Sequence, residues 1–217
     1  MILQIENLTK KIKGVTVLDN INLTLTGGTC YGFEGKNGSG KTMLMRTICG
    51  LIRPTSGVVK FDDKILCKDY SFPPSIGVLI ENPAFIPEYS AFKNLKVLAS
   101  INSKVTDNEI KEVLEQVGLN PNDKKIYKKF SLGMKQKLGI ANAVMGSPKV
   151  VLLDEPINAI DENGVENVRK IIAKLKEKGS IIIVACHDKE ELEFLSNEIY
   201  TIFEGKIVGH RSLKENE

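Results

Sequence analysis

Gly35-Lys36-Asn37-Gly38-Ser39-Gly40-Lys41-Thr42 fits the spacing GxxxxGK[ST], which turns successive backbone N–H groups inward around a chain of phosphates. Gly35, Gly38 and Gly40 permit the turn, Asn37 and Ser39 complete the cradle, and the helix expected to follow adds positive potential from its N-terminus. Lys41 then reaches the β- and γ-phosphates. The Thr42 hydroxyl is placed to ligate Mg²⁺, an ion that takes oxygen ligands and is shared with the phosphates. Much further along, the apolar run Val150 to Leu153 ends in Asp154-Glu155. A buried strand there delivers both carboxylates at its C-terminal edge, the edge at which α/β sheets bind ligands. Asp154 would position Mg²⁺ through its water shell, and Glu155 would orient or deprotonate water attacking the γ-phosphate.

These residues resemble the nucleotide-binding domain of ABC ATPases, and the resemblance extends over nearly the whole chain. Phe130-Ser131-Leu132-Gly133-Met134-Lys135-Gln136 opens a helix about twenty residues before the carboxylates, where that family carries its LSGGQ signature. Leu132 and Met134 replace a glycine and a glutamine of that signature. The resemblance implies that Ser131 and Gly133 contact the γ-phosphate held by an opposite protomer. One active site would then need two chains, in a homodimer or a heterodimer with another ABC ATPase subunit. His187 follows the apolar stretch Ile181 to Cys186 and matches the family's switch histidine, so the implied catalytic set is Glu155, His187 and Lys41. Asp161 matches the aspartate of the loop that reaches across the dimer; it also suits the N-cap of a helix before Val165.

Two further positions depart from the family pattern. Glu81 stands where most members have a glutamine that contacts Mg²⁺ and links the ATPase to its permease, which completes an implied metal set of Thr42, Asp154 and Glu81. A carboxylate can ligate the ion but lacks the amide donor and adds negative charge. This glutamate variant looks like that of bacterial ATPases for export of, or self-protection against, bacitracin and lantibiotics. Ile12 falls where an aromatic side chain usually stacks on adenine, so weaker ATP affinity and poor discrimination against GTP are expected; base stacking contributes about 1–3 kcal/mol where tested on nucleic acids.

The elements that must position these residues are legible as well. Short strands and Gly-rich turns alternate through the first third, with Ile21, Leu23 and Leu25 in a period of two. Thr29 to Phe33 reads as a strand, Lys41 to Cys49 as a helix stopped by Gly50. A helical pattern runs from about Ser90 to Met145. Within it, Thr106 and Glu109 form a capping box ahead of Ile110, Val113, Leu114 and Val117, and a second helix from about Leu132 carries Met134, Leu138, Ala141 and Met145 on one face. Val150 to Leu153, a helix with Val165, Val168, Ile172 and Leu175, and Ile181 to Ala185 make a parallel βαβ unit. Ile199 to Val208 reads as a hairpin around Glu204 and Gly205. The fold class is α/β. With the resemblance, it is a P-loop NTPase (RecA-like) core with an N-terminal antiparallel β part and an inserted all-helical subdomain: a single domain over 1–217, its core formed by 1–87 and 148–217, and 88–147 carrying the signature.

Composition narrows the partners. With 217 residues and 42% apolar content the chain buries a full core. A net charge of +3 lacks the concentrated basic footprint of nucleic-acid binding. The apolar runs fall far short of the roughly 20 residues that cross a bilayer, and no signal peptide is legible at Met1. Cys30, Cys49, Cys67 and Cys186 form no CxxC pair and read as buried free thiols in a reducing cytosol; with only two histidines, a structural zinc site lacks ligands. The resemblance therefore implies a cytoplasmic ATPase, peripheral on the inner face of the membrane. It would dimerise around two Mg-ATP and drive a separate transmembrane permease that exports a peptide antibiotic or similar compound. A soluble ABC-type ATPase of DNA repair or translation would instead show coiled-coil arms or tandem cassettes. A P-loop small-molecule kinase leaves Ser131 and His187 unexplained.

Overall fold

The computed structural model of the chain describes residues 1–81, 83–101 and 105–213. Two sheets form the framework. In the first, β1 (Ile2–Ile12) pairs antiparallel with β2 (Val15–Thr26) and with β4 (Ser56–Phe61), and β5 (Lys64–Ile65) closes the edge, giving the order β2-β1-β4-β5. At 11 and 12 residues, β1 and β2 are longer than the short strands expected from the sequence. Register shifts beside Asn7 and Asn20, both with positive φ, explain the difference, because bulges let a long pair twist and continue where a regular ladder would splay.

The second sheet has the order β10-β9-β3-β8-β7-β6, where β3 is Thr29–Glu34, β6 Ile76–Leu79, β7 Val150–Asp154, β8 Ile181–Ala185, β9 Glu198–Phe203 and β10 Lys206–Ser212. All neighbours are parallel except β9 and β10, which form the C-terminal hairpin. Val150 to Leu153 and Ile181 to Ala185 are completely buried, as continuous apolar runs must be when both faces of a parallel sheet are covered. The crossovers are α1 (Lys41–Ile48) after β3, α5 (Glu162–Glu177) between β7 and β8, and α6 (Lys189–Leu195) after β8.

Between β6 and β7 lie α2 (Ala91–Ala99), α3 (Asp107–Gln116) and α4 (Leu132–Val144). Each starts on a side-chain cap: Ser90, then Thr106 with Glu109 in a reciprocal capping box, then Ser131, each cap satisfying an otherwise orphaned N–H. Helix α4 ends one residue before Met145, which occupies the C-cap. It lies so close to β6 that a methyl group on Gly77 would collide with the carbonyl oxygen of Ala143. Consequently one apolar cluster runs from Leu79, Val151 and Leu153 of the sheet into Leu95, Ile110, Leu114 and Leu138 of these helices. A second cluster, with Ile5, Leu25, Phe33, Leu44 and Ile183, fills the space between the two sheets. Full burial of each such side chain contributes about 1.5–3 kcal/mol.

Cys30, Cys49 and Cys186 are buried free thiols, whereas Cys67 is only half-buried. Among the described residues no helix is long and apolar enough to cross a membrane.

Candidate functional site

The phosphate loop bridges the end of β3 and the start of α1. Gly40 occupies the N-cap at φ 113° and supplies no side-chain acceptor, so the first N–H groups of α1 are left for an anion. Gly35 has a positive φ and packs against β9 so closely that a Cβ would strike the Ile202 carbonyl. Lys41 is buried, and its ammonium donates to the carbonyls of Gly35 and Lys36. The buried Ser39 hydroxyl has no partner among the described residues.

Thr42 Oγ1 donates to Asp154 Oδ2 at 2.7 Å, joining α1 to the end of β7. Burial pushes the Asp154 carboxyl above its ordinary range. The Thr42 hydrogen bond and the Lys41 charge oppose that push; the charges of Glu155 and Glu81 reinforce it. A carboxylate so placed is short of positive charge, and the paired oxygens of Thr42 and Asp154 are the hard donors that Mg²⁺ prefers. The residues therefore fit a magnesium ion whose remaining ligands are water and phosphate oxygens.

Glu155 adopts a left-handed backbone at φ 51°, a conformation uncommon outside glycine and found at functional turns. Its N–H donates to the Ala185 carbonyl at 2.8 Å, and its Oε2 lies 2.7 Å from His187 Nδ1. Sequence reasoning missed a third anchor: the Gln136 amide donates to the carbonyls of Glu155 at 2.8 Å and Pro156 at 3.2 Å. The signal was present, since Gln136 belongs to the signature stretch, but its target could not be read from spacing.

Glu81, also left-handed at φ 59°, pairs with Arg46 at 2.5 Å rather than joining Thr42 and Asp154. Ser131 is exposed and accepts from Met134 N at 3.2 Å as the cap of α4. Gly133 faces the loop at Ala159. Asp161 occupies the N-cap position of α5 without a capping bond from its side chain, which instead pairs with Lys137 at 2.6 Å.

A cleft of about 1030 Å³ collects Asn37, Gly38, Gly40, Lys41, Thr42, Glu81, Asp154 and Glu155. Ser131, Gly133 and His187 do not line it. Its remaining wall comes from Val15, Thr16, Val17, Asp19, Arg46, Gln136 and Lys206 among others. Ile12 is not in that wall; it is paired with Val15 across the β1–β2 turn, so Val15 and Val17 are the aliphatic side chains that reach the cleft. The turn between β9 and β10 seals this side, with Asp19 N donating to Gly205 O and Gly205 N to Ser39 O, both at 2.8 Å.

A strand, a glycine-rich loop and a helix N-terminus, with Thr42 and Asp154 joined at the C-terminal edge of a parallel sheet, define a P-loop nucleoside-triphosphatase. The ABC transporter family matches residues 18–158. The chain is 50% identical over 190 residues to the uncharacterized ABC transporter ATP-binding protein YybJ of Bacillus subtilis (strain 168), covering 88% of this chain and 87% of that protein. It is 39% identical over 207 residues to the lantibiotic transport ATP-binding protein SrtF of Streptococcus pyogenes, covering 95% and 89%. Its fold matches the dimeric structure of a post-hydrolysis state of the ATP-binding cassette MJ0796 bound to ADP and Pi, with a TM-score of 0.87 over 98% of this chain and 99% of that one at 23% identity. The chain belongs to the ABC transporter family, of which it is an ATPase that binds ATP with Mg²⁺.

Proposed function

We propose that this ATPase closes as a dimer around two Mg-ATP beneath a separate transmembrane permease and powers export of a peptide antibiotic or similar compound. The observation that carries the dimer is the position of Ser131 and Gly133. They sit at the open N-terminus of α4, outside the cleft that holds the phosphate loop of their own chain. A helix N-terminus of which the Ser131 cap takes one N–H, with no phosphate of its own chain beside it, is matched by a γ-phosphate presented from another copy.

In this reading the residues divide the work. Gly35, Asn37, Gly38, Ser39, Gly40 and Lys41 hold the phosphates, Thr42 and Asp154 hold Mg²⁺ with Glu81 beside them on Arg46, and Ser131 and Gly133 close on the partner's nucleotide. Mg²⁺, when bound, offsets the phosphate charge. Glu155 accepts the proton of the attacking water, and His187, hydrogen-bonded to Glu155, orients that carboxylate and meets the γ-phosphate once the dimer closes. Gln136 fixes the backbone that carries Glu155. The segment 88–147 acts as the arm that moves Ser131, while 1–87 and 148–217 hold the nucleotide. The export of a peptide antibiotic is supported by Glu81 at the position of the family's glutamine and by the likeness to SrtF. A permease partner places the chain on the inner face of the cell membrane.

The test is the mass in solution of purified Glu155→Gln with and without Mg-ATP. Loss of the base traps the closed state, so ATP is expected to convert monomer to dimer, and Ser131→Arg to prevent it. A variant that binds ATP yet stays monomeric at every concentration overturns the composite site.

A further inference from the structure

Thr42 and Arg46 are one helical turn apart and share a face of α1. Thr42 meets Asp154 on that face, and one turn on, Arg46 Nη2 meets Glu81 Oε1 at 2.5 Å. All four line the same cleft. Glu81 therefore brings a full negative charge to a wall that already holds Asp154 and Glu155, into a space that receives a triphosphate. An uncompensated carboxylate there would repel the ligand, most strongly at low salt.

We infer that Arg46 is a positioning residue whose guanidinium holds the Glu81 carboxylate to α1 and cancels its charge, so that the carboxylate does not repel a triphosphate entering the cleft. The pair keeps Glu81 beside the magnesium site without letting it compete for the phosphates' own cation. Arg46 acts through Glu81 and not on the nucleotide. The inference rests on the assignment of this cleft to ATP.

The experiment is calorimetric binding of ATP to the intact chain in the absence of Mg²⁺, at low salt, for Arg46→Gln, Glu81→Gln and the double variant. Arg46→Gln should weaken binding by roughly three- to tenfold, the effect of one unscreened charge near the cleft, and adding Glu81→Gln should return it to within about twofold of the unaltered chain. In a parallel Mg²⁺ titration at fixed ATP, Arg46→Gln should lower the Mg²⁺ midpoint, since a released carboxylate is a new ligand. Lys41→Ala tests the cleft separately: undiminished binding there removes the cleft assignment and this inference together. With the cleft intact, a double variant as weak as Arg46→Gln overturns the inference by showing that the guanidinium acts on the phosphates directly. So does an Arg46→Gln variant that binds like the unaltered chain.

Discussion

At the residue scale the cleft holds one carboxylate, Asp154, whose burial works against its own charge. Asp154 illustrates the sign. Burial raises its pKa above the ordinary carboxylate value, so the native state favours the protonated form, and at neutral pH the ionised side chain subtracts from the stability of the nucleotide-free chain. Asparagine keeps an oxygen for the Thr42 hydroxyl and removes the charge. Asp154→Asn should therefore melt higher than the unaltered chain without nucleotide, by about 2–4 °C, the response of a chain this size to about 1 kcal/mol. It should lose most of the further rise that Mg-ATP gives. Thermal melts with and without Mg-ATP check both halves, and a lower melting temperature for the nucleotide-free variant would contradict the account. His187 and Glu155 belong to the same scale: their 2.7 Å contact exists only because β7 and β8 end side by side, with Glu155 N bonded to Ala185 O.

At the element scale the decisive feature is how closely α4 approaches β6. The helix brings Ser131 to its exposed start and Gln136, one turn on, to the backbone of Glu155. Gly77 makes that approach possible. Gly77→Ala drives a methyl group into the Ala143 backbone, which no side-chain rotation can relieve, and should destabilise the chain by about 1–3 kcal/mol, the usual cost of overpacking. Urea midpoints measure it; an unchanged midpoint would mean that α4 can move away freely. The same contact explains why the helical segment shares its apolar cluster with the sheet.

Over the whole molecule, the phosphate loop is tied to the C-terminal hairpin. Glu34, the last residue of β3, pairs with Arg211 on β10 at 2.7 Å and with Lys189 at the start of α6 at 3.2 Å. Burial pushes the Glu34 carboxyl up, but the hydrogen bonds and charges of Arg211 and Lys189 outweigh it and hold the group below its usual range. A depressed carboxylate contributes stability above its unfolded pKa and loses it as pH falls through the folded one. Because both cations are substantially exposed, the contribution is on the order of 1 kcal/mol or less. Glu34→Gln should be less stable than the unaltered chain at pH 7, and the gap should close as pH falls below about 4.3, the ordinary glutamate value. Denaturation midpoints across the acid range check this; a gap independent of pH would rule out the ion pairs as its source.

The sequence by itself determined the elements and most of the chemistry. A phosphate loop is a local pattern, a buried parallel strand is a continuous apolar run, and the caps at Thr106 and Ser131 act within four residues, so each could be read where it stands. Thr42 and Asp154 were assigned to one ion without knowledge of their contact, because strand edge and helix start converge in any parallel sheet. Tertiary structure decided what depends on pairing across the chain. Arg46 against Glu81, Gln136 against Glu155 and the β9–β10 turn against Asp19 and Ser39 are separated by 19 to 186 residues. The register of β1 with β2 pairs Ile12 with Val15 and brings Val15 and Val17, not Ile12, to the cleft. Side-chain charge has no periodicity along the chain, so only the fold could choose which carboxylate meets a cation and which is left to meet the metal.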